Sequence, residues 1–306
     1  MAVMNPSGTE TIPQHHDESL VVYAEDGTPI AATRFRPGVA PAARLVIASA
    51  TGVPRAFYRR FARYAAARGF ETYTFDYRGI GDSAPADLRG YEVDFLDWAR
   101  QDLAAVVAAC DADGLPLYYA GHSYGGHALG LLPDHPRVAR AAFFAVGAGW
   151  HGWMPWSERV RVLAMWHVVA PVLAAWKGYL PWSLIGNGED LPLTVYRQWK
   201  RWCSLPHYYF DEPAMTDELT GFAEVRTPIV AINALDDGWA PPRSRDAFMR
   251  GYGNAPWRGI DLEPGVIGLR AIGHMGYFRA GAEHLWAQVI DWYFGNDAFA
   301  LASRHD

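Results

Sequence analysis

The sequence is poor in cysteine and in basic charge, and each shortage excludes a class of protein. Its 306 residues include two cysteines, Cys110 and Cys203, which lie far apart and have no CxxC partner. They cannot form a disulfide framework, so we interpret them as reduced thiols and expect a cytoplasmic location. Acidic residues outnumber basic ones, and the formal net charge is −6. No basic surface is therefore predicted, and we do not expect nucleic acid as a partner.

Long apolar runs are also missing. Residues 1–18 are polar, contain two prolines and lack the apolar core of a signal peptide, so we predict a flexible tail. The longest apolar candidate, 160–176, is interrupted by Arg161, His167 and Pro171. A membrane span needs about 20 mostly apolar residues, so we expect none here. Contact with a membrane surface is the weaker alternative, because residues 159–202 are rich in Arg, Lys and Trp.

What is present is a regular alternation of strand and helix patterns. Two strands joined through Asp26-Gly27 are followed by repeated β and α units, which predicts an α/β fold with a mostly parallel, doubly wound sheet. The predicted strands are 19–24, 30–36, 45–50, 71–75, 115–120, 139–146, 228–233 and a last one near 265–272. The predicted helices are 55–68, 93–110, 242–252 and 282–294.

One segment breaks this alternation. Residues 150–215 hold eight of the 13 tryptophans and are too long for a simple crossover between strands. We predict that they form a Trp-rich helical cap over the carboxyl edge of the sheet, where ligands bind in open α/β folds. The core is then formed by 19–149 and 216–296. Most of these tryptophans are expected to pack the cap onto the core, although Trp150 and Trp153 are candidates for substrate contact.

The strongest motif is Gly-His-Ser-Tyr-Gly-Gly at 121–126, which fits the G-x-S-x-G nucleophile elbow. It lies between a predicted strand and a predicted helix, as that motif requires. Gly121 and Gly125 supply the small neighbours that a sharp turn needs. We therefore predict that Ser123 is a nucleophile presented beside a helix N-terminus.

A serine nucleophile needs a base, and position selects among the 11 histidines. His274 lies between Gly273 and Gly276, after the last predicted strand and before the last predicted helix. His122 and His127 are too close to Ser123 in the chain to approach it from the opposite side, so we interpret them as supporting or helix-surface residues. We predict that His274 is the base.

The acid is expected after the strand that ends at Asn233, where Asp236 and Asp237 are adjacent. One of the two is expected to cap a turn. We prefer Asp237, which gives the order Ser123, Asp237, His274, but Asp236 remains the alternative.

An oxyanion hole needs two backbone N–H donors. Tyr124 follows the nucleophile and is predicted to supply one. The loop after strand 45–50 supplies the other, and there Gly52 permits a turn while Pro54 has no N–H. We therefore choose Val53 as the second donor.

With these elements in order, the chain resembles the α/β-hydrolase superfamily over about 20–295. Asp76 to Ser83 looks like the frequent D-x-R-G-x-G-x-S loop of that superfamily, to which we assign a structural role. The chain is similar to a group of predicted bacterial serine hydrolases and esterases with a helical cap, through the segments 50–54, 121–126, 236–241 and 273–278. It departs from many relatives by having Thr51-Gly52 where they have His-Gly.

The resemblance implies a carboxylesterase-like serine hydrolase that cleaves a small-molecule ester with an apolar acyl or alcohol group. It implies no cofactor, and no metal-ligand cluster is visible in the sequence. An acyltransferase or a perhydrolase with the same triad is the first alternative, and a non-catalytic binding protein on the same fold is the second. The sequence leaves the oligomeric state open.

Overall fold

The sheet has eight strands and places the loops after its central strands along one edge. The computed structural model describes residues 16–110, 114–185, 188–296 and 299. The strand order is β1-β2-β4-β3-β5-β6-β7-β8. The strands are β1 (His16–Tyr23), β2 (Pro29–Arg36), β3 (Ala43–Ala48), β4 (Phe70–Phe75), β5 (Leu117–His122), β6 (Val138–Phe144), β7 (Ile229–Ala234) and β8 (Trp257–Leu262). All pairs from β4 to β8 are parallel, whereas β1–β2 and β2–β4 are antiparallel.

Helices cover both faces of this sheet, as a parallel sheet requires. The α-helices of the described residues, including those of the segment between β6 and β7, are α1 (Arg59–Ala66), α2 (Ala104–Ala109), α3 (Tyr124–Ala128), α4 (Trp156–Ala164), α5 (Ala170–Lys177), α6 (Leu193–Trp202), α7 (Thr220–Glu224), α8 (Pro242–Met249) and α9 (Glu283–Tyr293). Alternate residues of β3 enter two different cores: Leu45 and Ile47 join the one with α1 and α9, and Val46 and Ala48 the one with α2, α3 and α8. The central strands are therefore buried on both faces, which explains why their sequences are mostly apolar.

The insertion, residues 150–215, connects β6 to β7 and contains α4, α5 and α6. A π-helical segment, Met165–Val169, joins α4 to α5. The resulting helix, Trp156–Lys177, is the one among the described residues that is long and apolar enough to cross a membrane by length and composition alone. The insertion is tied to the core beside the predicted site, because Glu189 donates its backbone N–H to the Gly52 carbonyl at 2.8 Å.

Three predicted elements differ from the structure. The predicted tail, 1–18, overlaps β1, which begins at His16; residues 1–15 lie outside the described residues. The helix predicted from 93 begins at Trp98, because the N–H groups of Val93 and Phe95 donate to side chains of α6 instead.

The last strand was predicted in the wrong place. The apolar run after Pro264 forms a 3₁₀ turn (Pro264–Ile267) that ends at Gly268 with φ 76°. The strand is β8, an edge strand that pairs with β7. The sequence analysis missed β8 because this strand contains polar residues. An edge strand does not need apolar side chains on both faces, so its sequence lacks the apolar run that marks a central strand.

Candidate active site

Ser123 lies at the end of β5 on a strained turn. Its φ of 52° is in a region that few non-glycine residues adopt, and its N–H donates to the Phe144 carbonyl at 2.8 Å. A Cβ added to Gly121 would lie 2.6 Å from the carbonyl carbon of Gly125, so this turn excludes any larger residue there. The sequence predicted this geometry from the spacing of the glycines.

The three side chains predicted to act together form one hydrogen-bonded line. The His274 Nε2 atom lies 3.1 Å from Ser123 Oγ, and its Nδ1 atom lies 2.9 Å from Asp237 Oδ2. Ser123 and His274 are part-buried, while the Asp237 side chain is fully buried. In the neutral imidazole, Nδ1–H donates to Asp237 and Nε2 accepts from the Ser123 hydroxyl. This arrangement suits proton transfer from Ser123.

The structure separates the roles of the two adjacent aspartates. Asp237 also accepts from the N–H groups of Trp239 and Ala240 at 2.9 and 3.0 Å, which fixes its carboxylate. Asp236 is exposed and accepts instead from the backbone N–H groups of Ile272 and Gly273. Asp236 therefore holds the loop that carries His274, and Asp237 contacts the imidazole.

The surroundings keep Asp237 ionised. Burial by itself raises the pKa of a carboxyl group. The electrostatic interaction with His274, the hydrogen bond from its Nδ1–H and the two backbone N–H groups outweigh burial and hold the pKa of Asp237 below its ordinary value. A buried carboxylate of this kind stabilises an imidazolium on its partner.

The two predicted oxyanion donors differ in their present partners. Tyr124 is the first residue of α3, where a backbone N–H has no acceptor within its own helix. The Val53 N–H donates to the Ala50 carbonyl at 3.1 Å and closes a turn in which Gly52 has φ 70°. Val53 therefore has to share or exchange this bond before its N–H can hold an oxyanion.

A buried histidine connects the two loops beside Ser123. His122 Nε2 lies 2.8 Å from the His274 carbonyl, which can only accept, so Nε2 carries the proton. Its Nδ1 then accepts from the Tyr58 hydroxyl at 2.8 Å, and Tyr58 Oη in turn accepts from the Ala50 N–H at 2.9 Å. This chain of bonds fixes the backbone of His274 relative to the loop that contains Val53.

The D-x-R-G-x-G-x-S segment supports the same loop from the other side. Asp76 accepts from the Arg55 N–H at 2.6 Å, pairs with the Arg55 guanidinium and accepts from the Asp82 N–H at 3.1 Å. A Cβ added to Gly81 would lie 2.6 Å from Asp76 Oδ2. Since Arg55 follows Pro54 directly, Asp76 anchors the end of the Val53 loop.

Ser123 and His274 open into a cavity of about 320 Å³. Its walls are mainly apolar and come from the Val53 loop, the insertion, the loop after β7 and the loop that carries His274: Ala50, Thr51, Val53, Arg161, Val162, Met165, Trp182, Trp199, Trp239 and Met275. None of these lining residues is acidic.

Trp150 and Trp153, the predicted substrate contacts, do not line this cavity. Their rings pack against each other, and the Trp153 indole donates to the Pro206 carbonyl at 2.7 Å. The tryptophans that do line it are Trp182 and Trp199 of the insertion and Trp239 of the core. The Trp content of the insertion indicated the correct segment for Trp182 and Trp199. Among the three lining tryptophans, only Trp239 had a local signal that could have identified it, since it follows Asp237 by two residues.

His127 is buried, so the helix-surface alternative is wrong for this residue. Its Nε2 lies 2.9 Å from the Gly147 carbonyl, and its ring stacks on Phe248 with 4.0 Å between centroids. Burial lowers the pKa of His127 to about 3. The native protein therefore keeps this imidazole neutral, whereas the unfolded chain protonates it below its ordinary pKa of about 6.5.

We expect His127 to make stability depend on pH. Between pH 6.5 and 3 the unfolded state binds the extra proton, so the free energy of unfolding falls as the pH falls. From pH 7 to pH 5 the loss due to His127 is about 2 kcal/mol. Urea unfolding of the wild type and of His127→Gln at both pH values measures this loss. Between pH 7 and pH 5 the free energy of unfolding of the variant should fall by about 2 kcal/mol less than that of the wild type. An equal loss in both proteins contradicts the prediction.

Within the described ranges, no group of three or more His, Cys, Asp or Glu residues is arranged to hold a metal ion.

The sheet, the elbow and the hydrogen-bonded line define a serine hydrolase of the α/β-hydrolase fold. Residues 40–256 match the model of the family described as serine aminopeptidase, S33, and the chain belongs to this family of α/β-hydrolase enzymes. No curated protein sequence matches the chain significantly.

Solved structures share the fold at low sequence identity. A soluble variant of the monoglyceride lipase from Saccharomyces cerevisiae is 16% identical, with a TM-score of 0.61 and coverage of 92% of this chain and 95% of that one. The esterase EaEST from Exiguobacterium antarcticum is 14% identical, with a TM-score of 0.57 and coverage of 91% of this chain and 100% of the esterase. DcsB, in complex with its substrate analogue, is 15% identical, with a TM-score of 0.62 and coverage of 92% and 100%.

Proposed function

We propose that this protein hydrolyses a carboxylic ester with an apolar acyl or alcohol group, using Ser123, His274 and Asp237 as a catalytic triad. The observation that carries the proposal is the continuous line from Ser123 Oγ through both nitrogens of His274 to buried Asp237, at the base of an apolar cavity. The fold similarity to a monoglyceride lipase and an esterase supports the same chemistry.

In the proposed mechanism Ser123 Oγ attacks the carbonyl carbon and passes its proton to His274 Nε2. Asp237 stabilises the imidazolium through Nδ1–H. The oxyanion accepts from the Tyr124 N–H and from the Val53 N–H, which shares its bond to the Ala50 carbonyl. His274 then protonates the leaving alcohol, and the acyl-enzyme is hydrolysed by water that His274 activates. The insertion acts as a cap that restricts access to this acyl-enzyme.

The lining favours an ester over the amino-terminal peptide that the family description suggests. An aminopeptidase has to bind a substrate ammonium group, which calls for a carboxylate near the nucleophile. The cavity instead has one cationic side chain, Arg161, whose partner Glu158 is 2.5 Å away and is not among the lining residues. We therefore propose an ester, and not an amino-terminal peptide, as the substrate.

The test is covalent labelling with a fluorophosphonate, read by intact mass, together with turnover of p-nitrophenyl esters of increasing chain length and of leucine p-nitroanilide. We expect one adduct in the wild type and in Ser204→Ala, a control with an exposed serine elsewhere. Ser123→Ala should lose both the adduct and ester turnover. Faster turnover of the anilide than of any ester contradicts the proposed substrate class, and an absence of labelling favours the binding-protein alternative.

The same side chains also serve acyl transfer or perhydrolysis. Product partitioning with added alcohol, thiol or peroxide separates these alternatives from hydrolysis: the ester-hydrolase proposal expects the free acid as the main product. The cytoplasmic location stays a prediction.

A further inference from the structure

A second and larger cavity lies inside the insertion, between the helix Trp156–Lys177 and α6. Its volume is about 770 Å³, against about 320 Å³ for the cavity at Ser123. Ligand sites commonly have volumes of roughly 300 to 1,000 Å³, so this cavity is large enough for a small molecule. Its apolar walls include Leu163, Trp166, Ala174, Leu193 and Tyr196.

The charged residues of this cavity all have the same sign. Arg197, Lys200 and Arg201 line it together with two imidazoles, and none of its lining residues is acidic. Arg201 pairs with Glu212 at 2.6 Å. In the part of the chain that the structure describes, no carboxylate lies within 4.0 Å of Arg197 or Lys200, although Arg197 also borders a groove that contains acidic residues. In a chain with a net charge of −6, this is a local excess of positive charge.

An aromatic wall separates the second cavity from Ser123. The two cavities have no lining residue in common. Trp166, which lines the second cavity, packs edge-on against Trp199 at 5.0 Å between centroids and also contacts Trp239; both partners line the Ser123 cavity. The helix Trp156–Lys177 lies between the two cavities, since Met165 lines the Ser123 cavity and its neighbour Trp166 lines the second cavity. A pocket of about 10 Å³ is lined by Ser123 and Trp199 of the first cavity and by Cys203 of the second. Because this pocket is too small for a ligand chain, the second cavity is a distinct site.

We propose that this cavity binds a single-chain amphiphile with an anionic head group, of the fatty-acid class. The chain lies against the apolar walls, and the carboxylate pairs with Arg197 and Lys200. An apolar cavity with a cationic edge matches both parts of such a ligand, whereas a neutral or cationic amphiphile leaves the positive charges without a partner. This binding requires no catalysis and does not depend on the proposed esterase activity.

The test is isothermal titration of the full-length protein with dodecanoate below its micelle concentration. Acetate has the same head without the chain, and dodecyltrimethylammonium has the same chain with the opposite charge. We expect saturable binding of dodecanoate alone. Arg197→Gln combined with Lys200→Gln should raise its Kd at least about tenfold, since two charge-assisted contacts are lost.

Two filling variants distinguish the cavities. Ala175 is exposed at the edge of the second cavity, so Ala175→Trp should abolish the saturable heat. Met165→Trp narrows the Ser123 cavity and should leave dodecanoate binding unchanged; thermal unfolding checks that each variant is folded. Loss of binding in Met165→Trp with retention in Ala175→Trp overturns the proposal, because dodecanoate then occupies the Ser123 cavity. It is also overturned if dodecanoate does not bind, or if dodecyltrimethylammonium binds equally well.

Discussion

Asp237→Asn is expected to lower kcat for the best p-nitrophenyl ester about 10⁴-fold. An asparagine keeps the shape of the side chain but loses the charge that stabilises the imidazolium and that selects the His274 tautomer with a proton on Nδ1. The two backbone donors, Trp239 and Ala240, can still reach its amide oxygen, so the protein should remain folded. Steady-state kinetics with active-site titration measures the change.

The neighbouring aspartate supplies the matched control. Asp236→Asn removes the same charge one residue away, where the carboxylate contacts the backbone N–H groups of Ile272 and Gly273. We expect it to lower kcat less than about tenfold, because an amide oxygen still accepts one of these bonds and His274 keeps its partner. If Asp236→Asn causes the larger loss, the acid has been assigned to the wrong residue.

Gly125→Ala is expected to destabilise the fold by about 3 kcal/mol or more. A Cβ at this position would overlap the backbone carbonyl of Ala48 in β3, which cannot move without disturbing the centre of the sheet. Overpacking against rigid atoms forces the backbone apart, and α3 would have to withdraw from β3. Gly125 also accepts a hydrogen bond from the Tyr119 hydroxyl at 2.5 Å, which this shift would weaken. Urea unfolding measures the loss.

Gly265→Ala is the control for this substitution. Gly265 has no positive φ and no heavy atom within 4 Å of an added Cβ. We expect the free energy of unfolding of Gly265→Ala to differ from that of the wild type by less than about 1 kcal/mol. Equal destabilisation by the two substitutions contradicts the steric explanation, because the effect would then come from the loss of glycine itself.

The sequence predicted the fold wherever both faces of a strand are buried. β3, β5, β6 and β7 are mostly apolar, because helices cover both of their faces. Prediction failed for β8, since its polar residues are compatible with an edge position and the apolar run after Pro264 resembled a strand more closely. The start of the helix that ends with α2 was also misplaced: a π-helical segment begins it at Trp98, because contacts with α6, about a hundred residues away in the chain, hold residues 93–97 outside the helix.

The sequence by itself determined the elbow, the chain order of nucleophile, acid and histidine, and the position of the Trp-rich insertion. Glycines, prolines and apolar spacing record these features directly, because they reflect local requirements of the backbone. Only the tertiary structure decided which aspartate contacts His274, which tryptophans line the cavity and that the Val53 N–H already has an acceptor. It also revealed the second cavity with its cationic edge. These features depend on the direction of each side chain and on the distances between segments that are far apart in the chain. Asp236 and Asp237 are neighbours in the sequence but contact different groups, and Met165 and Trp166 are neighbours that line different cavities.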